Sequence, residues 1–380
     1  MSGHSSSQHR QTLDPGADRM AFQRTGLKKF FEAAIRYGAS DMILRGGQAP
    51  KLRLRGTLKS LDTGPIDEAE FEKWIREASS DGQWERYGLM GSLDLGWEMD
   101  AKTRFRVNIF RTRGRSAIAA RIISSSIPSF EKLHLPPQIG KVADLHQGLV
   151  LLCGVTGSGK STTIASILDF VNQQRACHIV TIEDPIEFVF EDKKSMINQR
   201  EIGLDVPDFA TALRALMREN PDIVLVGEMR DRETFEAALQ AAETGHLVFG
   251  TIHASSTSQA FGRIYDLFPS EERPAVRNLL AYQMEAFIYQ KLLPTLHENI
   301  PRVPAVEILL QSPATRKFIV EGRENELNTV IKAERNYGMQ TLNDSLVSLV
   351  EREYVHPKVA LTATPNPEEV KMRLKGIKTG

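Results

Sequence analysis

GVTGSGKST, residues 154–162, is the stretch from which the fold and the chemistry of this chain are predicted. It follows an apolar run at 148–153 (GLVLLC) and precedes a helical pattern at 162–172 (TTIASILDFVN). The motif G-x-x-x-x-G-K-[ST] between a buried strand and a helix predicts a phosphate-binding loop. The alternative is a glycine-rich turn that matches by chance, and the intact flanking pattern argues against it.

Each residue type in this loop suits a polyphosphate ligand. Gly154, Gly157 and Gly159 can adopt backbone angles closed to other residues, so successive N–H groups can face one anion. The helix that begins here adds the positive end of its dipole. Lys160 is expected to reach the β- and γ-phosphates, and the Ser161 hydroxyl to bind Mg²⁺. The other nucleotide contacts predicted from the loop are Val155, Thr156, Ser158 and Thr162.

The composition indicates an ordinary globular protein. Of 380 residues, 41% are apolar and 25% are charged, as in typical soluble domains. The 48 basic and 48 acidic residues cancel, so no net field favours nucleic acid or an anionic membrane as a partner. The two cysteines, Cys153 and Cys177, form no C-x-x-C pair for zinc and fit a reducing cytosol. No apolar run approaches the roughly 18 residues that span a bilayer, so we expect no direct membrane insertion.

Strand and helix patterns divide the chain into segments. The N-terminal pattern predicts a small α+β domain, and the strand–helix repeat from Leu149 predicts an α/β fold with a parallel sheet. The predicted segments are a disordered lead-in (1–25), the small domain (26–123), a linker (124–135), the α/β core (136–272) and a helical region with a terminal tail (273–380). The predicted strands are Leu149–Cys153, His178–Ile182, Ile223–Val226 and Leu247–Ile252 in the core, with one more at Pro304–Leu310.

Acidic residues stand at the carboxyl ends of two predicted core strands, the edge at which open α/β sheets bind ligands. HIVTIEDPIEF (178–188) places Glu183 beyond one strand, and PDIVLVGEMRD (221–231) places Glu228 beyond another. We predict that Glu183 is the general base that polarises an attacking water. Glu228, in a strand of Walker B form, is predicted to bind Mg²⁺ through a water molecule. The alternative is that each carboxylate caps a helix or pairs with Arg230 or Arg232.

Two histidines bracket the next apolar strand in AAETGHLVFGTIHA, residues 241–254. His253 follows the strand, so it is expected at the phosphate edge of the sheet, where it would sense the γ-phosphate. His246 precedes the strand and is also predicted to contact the nucleotide. A lone histidine is more often a satisfied core or surface residue, and that alternative stays open for both.

Arginines crowd a pair of strands in the small domain. Alternation places Arg104 and Arg106 on one face, and Arg121 follows on the next strand. A guanidinium delivered to a γ-phosphate stabilises the transition state of phosphoryl transfer, often from a neighbouring subunit. The alternative is a solvated basic face.

The order of these motifs resembles that of the secretion ATPase superfamily. GVTGSGKSTT, VTIEDPIEF, ALRALMRENPDIVLVGEMRD and AAETGHLVFGTIHA follow the order of its Walker A, Asp box, Walker B and His box. ASDMILRGGQAPKLRLRG, RFRVNIF and GMQTLNDSL narrow the resemblance to type IV pilus retraction ATPases of the PilT/PilU type. The resemblance covers residues 26 to about 353.

The resemblance implies a ring-shaped homo-hexamer whose subunits join a PAS-like N-terminal domain to a RecA-like core, with ATP and Mg²⁺ between the two domains. It implies that Glu183 is the base, Glu228 the Walker B glutamate, and Arg104, Arg106 and Arg121 the candidate arginine fingers. Hydrolysis would then return pilin subunits to the inner membrane through a platform protein. The motor would act in the cytoplasm, peripherally at the inner-membrane pilus base, with a paralogous retraction ATPase as a further partner.

Other functions compete with retraction. A pilus assembly or type II secretion motor would use the same chemistry, but such relatives carry a tetracysteine zinc module, for which this chain lacks the cysteines. An accessory subunit that hydrolyses little and works with a paralogue is a different class, and the intact Lys160, Ser161, Glu183 and Glu228 argue against it. A RecA-fold nucleic-acid motor is disfavoured by the neutral charge and the lack of a basic and aromatic stripe.

Overall fold

The computed structural model describes residues 26–54, 56–100, 103–123, 126–216 and 218–377. The lead-in predicted for 1–25 therefore lies outside the described residues. The chain divides into two compact units, Met1–Ser125 and Ser126–Gly380. Within the described ranges, none of the helices combines the length and the apolar character needed to cross a membrane.

The described part of the first unit is a six-stranded antiparallel sheet with the strand order β3-β2-β1-β6-β5-β4. Its strands are β1 (Asp41–Arg45), β2 (Lys51–Leu54), β3 (Thr57–Ser60), β4 (Ser92–Asp100), β5 (Thr103–Thr112) and β6 (Arg115–Ile123). Its helices are α1 (Lys28–Arg36), α2 (Glu68–Glu77) and α3 (Asp81–Met90). Strand β3 and helix α3 were not predicted from the sequence.

One face of this sheet is apolar and the other is polar, because side chains alternate along each strand. On the apolar face the Phe31 ring from α1 packs edge-on against Trp97 and Phe105, with centroid distances of 4.2 and 4.8 Å. The three side chains are almost fully buried. The polar face carries Arg104, Arg106 and Arg121.

The second unit is built on a seven-stranded sheet with the order β13-β12-β7-β11-β10-β8-β9. Its strands are β7 (Gly148–Cys153), β8 (His178–Glu183), β9 (Met196–Glu201), β10 (Ile223–Val226), β11 (Leu247–Ile252), β12 (Met284–Pro294) and β13 (Arg302–Leu310). Its helices are α4 (Ile139–Ala143), α5 (Lys160–Gln174), α6 (Phe209–Leu216), α7 (Arg232–Glu243), α8 (Thr257–Tyr265), α9 (Arg273–Gln283), α10 (Pro313–Val320), α11 (Leu327–Ala333), α12 (Leu342–Glu351), α13 (Pro357–Ala363) and α14 (Pro367–Leu374).

The central strand β7 is buried on both faces, as its unbroken apolar sequence indicates. Leu149, Leu151 and Cys153 point into one hydrophobic cluster, and Val150 and Leu152 into another on the opposite face. All strand pairs of this sheet are parallel except β12 with β13. The carboxyl ends of β7, β8, β10 and β11 therefore meet at one edge, where the phosphate loop begins.

The prediction that 273–380 is helical with a single strand is wrong at one element. Met284–Pro294 is a strand that pairs in parallel with β7, and β13 pairs with it in antiparallel fashion. The sheet therefore continues past residue 272, and the part of the chain that follows the predicted core supplies two of its seven strands.

The predicted linker and the terminal tail both pack on the second unit. In the predicted linker, Phe130 and Leu133 lie against one of the hydrophobic clusters. In the tail, Val370 on α14 is fully buried, and Arg373 forms an ion pair of 2.6 Å with Asp344 on α12. The tail helix therefore belongs to the body of its own subunit.

Candidate nucleotide-binding site

The phosphate loop requires glycine at two positions because other atoms approach its backbone closely. Gly154 has φ of 153° and Gly159 has φ of 88°. A Cβ atom at Gly154 would lie 2.5 Å from the carbonyl oxygen of Gln290, and one at Gly159 would lie 2.8 Å from the Gln290 amide nitrogen. Side chains larger than hydrogen would push β12 away from the loop.

Lys160 begins helix α5 with its ammonium turned back into the loop. Its Nζ atom donates hydrogen bonds to the carbonyl oxygens of Gly154 (2.8 Å) and Val155 (3.2 Å). The residue is only 9% exposed, and this burial lowers the pKa of Lys160 while the nearby Glu228 carboxylate raises it. An anion bound by the loop N–H groups would therefore lie beside the buried Lys160 ammonium.

The remaining loop residues offer polar groups that fit a phosphate. Thr156 and Ser161 are exposed at the loop surface and Thr162 is half-buried. The buried Ser158 hydroxyl oxygen has no hydrogen-bond partner among the described residues. The loop thus combines backbone donors, hydroxyl groups and one ammonium, which is the donor set expected for a polyphosphate.

Gln290 on β12 holds the loop from the side, and it was not predicted from the sequence. Its Nε2 atom donates to the carbonyl oxygen of Ser158, and its Oε1 atom accepts from the Thr163 hydroxyl, both at 2.8 Å. The side chain is 2% exposed. Because Gln290 touches both the loop and the first turn of α5, it fixes one relative to the other.

Glu183 ends β8 as a buried carboxylate with an unusual protonation equilibrium. Its Oε1 atom accepts hydrogen bonds from the Thr181 hydroxyl (2.7 Å) and the Gln199 amide (3.2 Å). The Glu187 N–H donates to Oε2 at 3.3 Å. Burial raises the pKa of Glu183 to about 7, and these hydrogen bonds oppose the rise. A carboxylate with such a pKa can accept a proton near neutral pH.

Glu228 follows β10, the strand next to β8, and its carboxylate contacts an imidazole and a guanidinium. His253 Nε2 lies 3.0 Å from Oε1, and the Arg230 guanidinium lies 2.6 Å from Oε2. Burial raises the pKa of Glu228, but the hydrogen bond and charge of Arg230 outweigh it, and the net pKa is lowered. The alternative of a pairing with Arg230 is therefore realised, whereas Arg232 pairs with Glu236 and Glu272.

The two predicted histidines lie at opposite ends of β11. His253 follows the strand and reaches Glu228. His246 precedes it, and its carbonyl accepts from the N–H of Gly148 at the start of β7. The strand between them has six residues, so the two histidines are seven residue steps apart, about 23 Å at about 3.3 Å per step. The prediction that His246 binds the nucleotide is therefore wrong for the phosphate loop of its own subunit.

The predicted arginine fingers lie on the polar face of the first unit's sheet. Arg106 on β5 stands directly opposite Arg121 on β6. Arg121 pairs with Asp41 at 2.8 Å, and Arg104 is buried beside Glu98 at 3.5 Å. Arg106 is exposed and forms no hydrogen bond or ion pair with any described residue. Of the three guanidinium groups, that of Arg106 is the one available to a further anion.

Protein side chains alone do not form a metal site in the described ranges, since no group of three or more His, Cys, Asp or Glu residues there could hold a metal ion. Near the loop, the Ser161 hydroxyl and the Glu228 carboxylate are the oxygen ligands at hand. Mg²⁺ suits such a place because it binds through few protein oxygens, phosphate oxygens and several waters.

Comparison with known proteins finds one family over most of the chain. The family described as "Type II/IV secretion system protein" matches residues 18–353. A "Twitching motility protein" of Neisseria gonorrhoeae is 41% identical over 84% of this chain and 86% of its own. A "Type IV pilus retractation ATPase PilT" of Pseudomonas aeruginosa is 39% identical over 88% of this chain and 97% of its own.

A solved structure extends the similarity to three dimensions. The crystal structure of "the Pilus Retraction Motor PilT and Bound ADP" superposes with a TM-score of 0.83 at 40% identity. It covers 91% of this chain and 99% of the solved one. The predicted fold class, α/β with a RecA-like ATPase core, is confirmed by this match.

Proposed function

Because the chain belongs to the type II/IV secretion system protein family, as its motifs predicted, we propose that it is an ATPase that powers type IV pilus retraction. One observation carries the catalytic half of the proposal. The phosphate loop, the buried Glu183 and the Glu228–His253 pair stand at one edge of a single sheet. The assignment to pilus retraction rests on the names of the similar proteins.

ATP is bound in this proposal by residues 154–162. The loop N–H groups surround the phosphates, and Lys160 leaves the carbonyl groups of its own loop to meet the β- and γ-phosphates. Ser161 and Glu228 would hold Mg²⁺, Glu228 through a water molecule, and the bound ion would supply positive charge to the phosphates. His253, which contacts Glu228, senses the γ-phosphate in this proposal.

Hydrolysis needs a base beside the γ-phosphate, and Glu183 has the properties of one. A water oxygen attacks the γ-phosphorus, the bond from phosphorus to the β–γ bridging oxygen breaks, and the water proton passes to Glu183. The products are ADP and inorganic phosphate. The raised pKa of Glu183 supports this role, because a carboxylate with a pKa of about 7 is a stronger base than an exposed one.

Arginines of the small domain complete the site from outside the loop. We assign Arg104, Arg106 and Arg121 to the γ-phosphate of a nucleotide bound in a homo-hexameric ring, and of these Arg106 is the one that meets an anion without giving up an ion pair. A ligand shifts a conformation only by its different affinity for the two states. An arginine that meets the phosphate only in the closed state therefore favours closure, and a ring can pass that closure from one subunit to the next.

In this proposal the ring works in the cytoplasm, at the inner-membrane base of the pilus. There it acts on a platform protein, through which pilin subunits return to the membrane. A paralogous retraction ATPase is a further partner. The domains in this proposal are 26–123 and 136–272, joined by the linker 124–135, and the strands beyond residue 272 belong to the sheet of the core.

The function is tested by watching labelled pili on living cells. Cells that lack this chain are expected to extend pili and fail to shorten them, and Lys160→Ala should not restore shortening, since it removes the phosphate-binding ammonium. Fluorescence imaging of labelled pilin measures this, with Arg115→Ala as a matched variant whose guanidinium pairs with Glu68. Loss of all pili would instead make the chain an assembly motor, and normal shortening would contradict a role in retraction.

A further inference from the structure

Glu307 is a buried carboxylate that holds the start of a helix on another part of the fold. It lies on β13 and is 5% exposed. Its Oε1 atom accepts hydrogen bonds from the Thr257 N–H (2.9 Å) and the Thr257 hydroxyl (2.7 Å). Thr257 is fully buried and begins helix α8. Among the described residues Glu307 forms no ion pair, and the donors that its carboxyl group contacts are those of Thr257, at the positive end of the helix.

The residues held by this contact follow the candidate catalytic histidine directly. His253 stands four positions before Thr257. On the other side of His253, the Thr251 hydroxyl donates to the carbonyl oxygen of Gly227 at 2.7 Å. The segment 253–256 is thus fixed at both ends, by Gly227 and by Glu307.

His253 depends on this backbone for its direction. Its side chain is 47% exposed, and its Nε2 atom contacts the Glu228 carboxylate at 3.0 Å. An exposed imidazole is not held in one rotamer by surrounding side chains, so the position of its backbone decides whether the contact forms.

A purely structural role does not account for the burial of Glu307. Helix α8 already has a cap, because the Ser256 hydroxyl accepts from the Gln259 N–H at 3.1 Å. Burying a carboxyl group without a cationic partner is costly, and a serine or threonine hydroxyl is the usual acceptor for an N–H group in the first turn of a helix. Glu307 adds a second attachment, by hydrogen bonds from Thr257 to strand β13, at the end of the segment that carries His253.

We propose that Glu307 is a positioning residue for ATP hydrolysis, which fixes segment 253–257 so that His253 stays against Glu228. The inference rests on the proposed function, since His253 acts in it at the γ-phosphate. The hairpin β12–β13 therefore contributes two contacts to the site. Gln290 holds the phosphate loop, and Glu307 holds segment 253–257.

These two roles predict different kinetic effects for variants of the same hairpin: a lower kcat for Glu307 and weaker ATP binding for Gln290. Glu307→Ala is expected to lower kcat by about 10²-fold, the effect of a small displacement of a reacting group, with ATP affinity unchanged. Glu307→Gln keeps an acceptor oxygen and should restore most of the rate. Gln290→Leu should weaken ATP binding instead, because it releases the loop. Turnover and equilibrium ATP binding, measured on the full chain, separate these outcomes.

A double-variant cycle tests whether Glu307 acts through His253. If it does, Glu307→Ala adds little to the loss already caused by His253→Ala, because both remove the same contact. Thr257→Val, which removes one of the two donors with little change of shape, should lower kcat in the same direction, and it keeps the test open if Glu307→Ala fails to fold. Multiplicative losses in the cycle, or wild-type kcat in Thr257→Val and Glu307→Ala, would overturn the inference. A wild-type chain without ATP turnover would instead overturn the proposed function.

Discussion

Glu183→Gln is expected to bind ATP and hold it with almost no hydrolysis. The amide has the shape of the carboxylate but cannot accept the proton of the attacking water, and general-base catalysis contributes roughly 10²- to 10⁴-fold to a rate. Single-turnover hydrolysis, with equilibrium ATP binding on the same sample, measures both halves of this expectation. Rapid hydrolysis by the variant would assign the base to another group.

The same role predicts how turnover depends on pH. The carboxylate must be ionised to act, and burial raises the pKa of Glu183 to about 7. The rate should therefore increase with pH and reach half of its maximum near that value, and a flat profile from about pH 6 to pH 8 would contradict it. Asp184→Asn is the matched control, since Asp184 is the adjacent carboxylate and is exposed.

Arg106→Ala is expected to bind ATP almost normally and to lower turnover by roughly 10³-fold or more, as the loss of other arginine fingers does. The reason is that a guanidinium helps most when charge develops on the γ-phosphate, and that of Arg106 is bound by no described residue. Steady-state turnover and ATP affinity measure the effect. Arg115→Ala, on the next strand of the same sheet, is the control.

A mixing experiment shows whether Arg106 acts on a neighbouring subunit. Arg106→Ala subunits retain a complete phosphate loop, and Lys160→Ala subunits retain the arginine. Mixed rings place some intact loops beside intact arginines, so turnover should reappear on mixing if the arginine acts in trans. Unchanged turnover in Arg106→Ala alone would end its role as a finger.

The sequence predicted the elements around the phosphate loop because several independent signals agree there. The strands at β7, β10 and β11 are short apolar runs, and glycines or acidic residues mark their ends. Strand direction then brings Glu183, Glu228 and His253 to one edge. The same rule could have excluded His246, since a residue that precedes a parallel strand lies at the opposite edge.

The residues that were missed lie on strands whose sequences carry no distinctive signal. β12 follows α9 without a break, and an apolar run of this kind does not distinguish a buried strand from a helix. Gln290 and Glu307 are polar residues in the middle of largely apolar strands. Their partners are distant in sequence, and only the folded sheet brings them together.

The central claim is that a ring completes the catalytic site, and it is tested most directly by ATP turnover per chain against protein concentration. Mass by light scattering is measured on the same samples, for the wild-type chain and for Glu183→Gln. We expect turnover per chain to rise together with the shift to hexamer mass, and to vanish in the variant at every mass. Constant turnover per chain from monomer to hexamer, or a hexamer with negligible turnover, would contradict the claim.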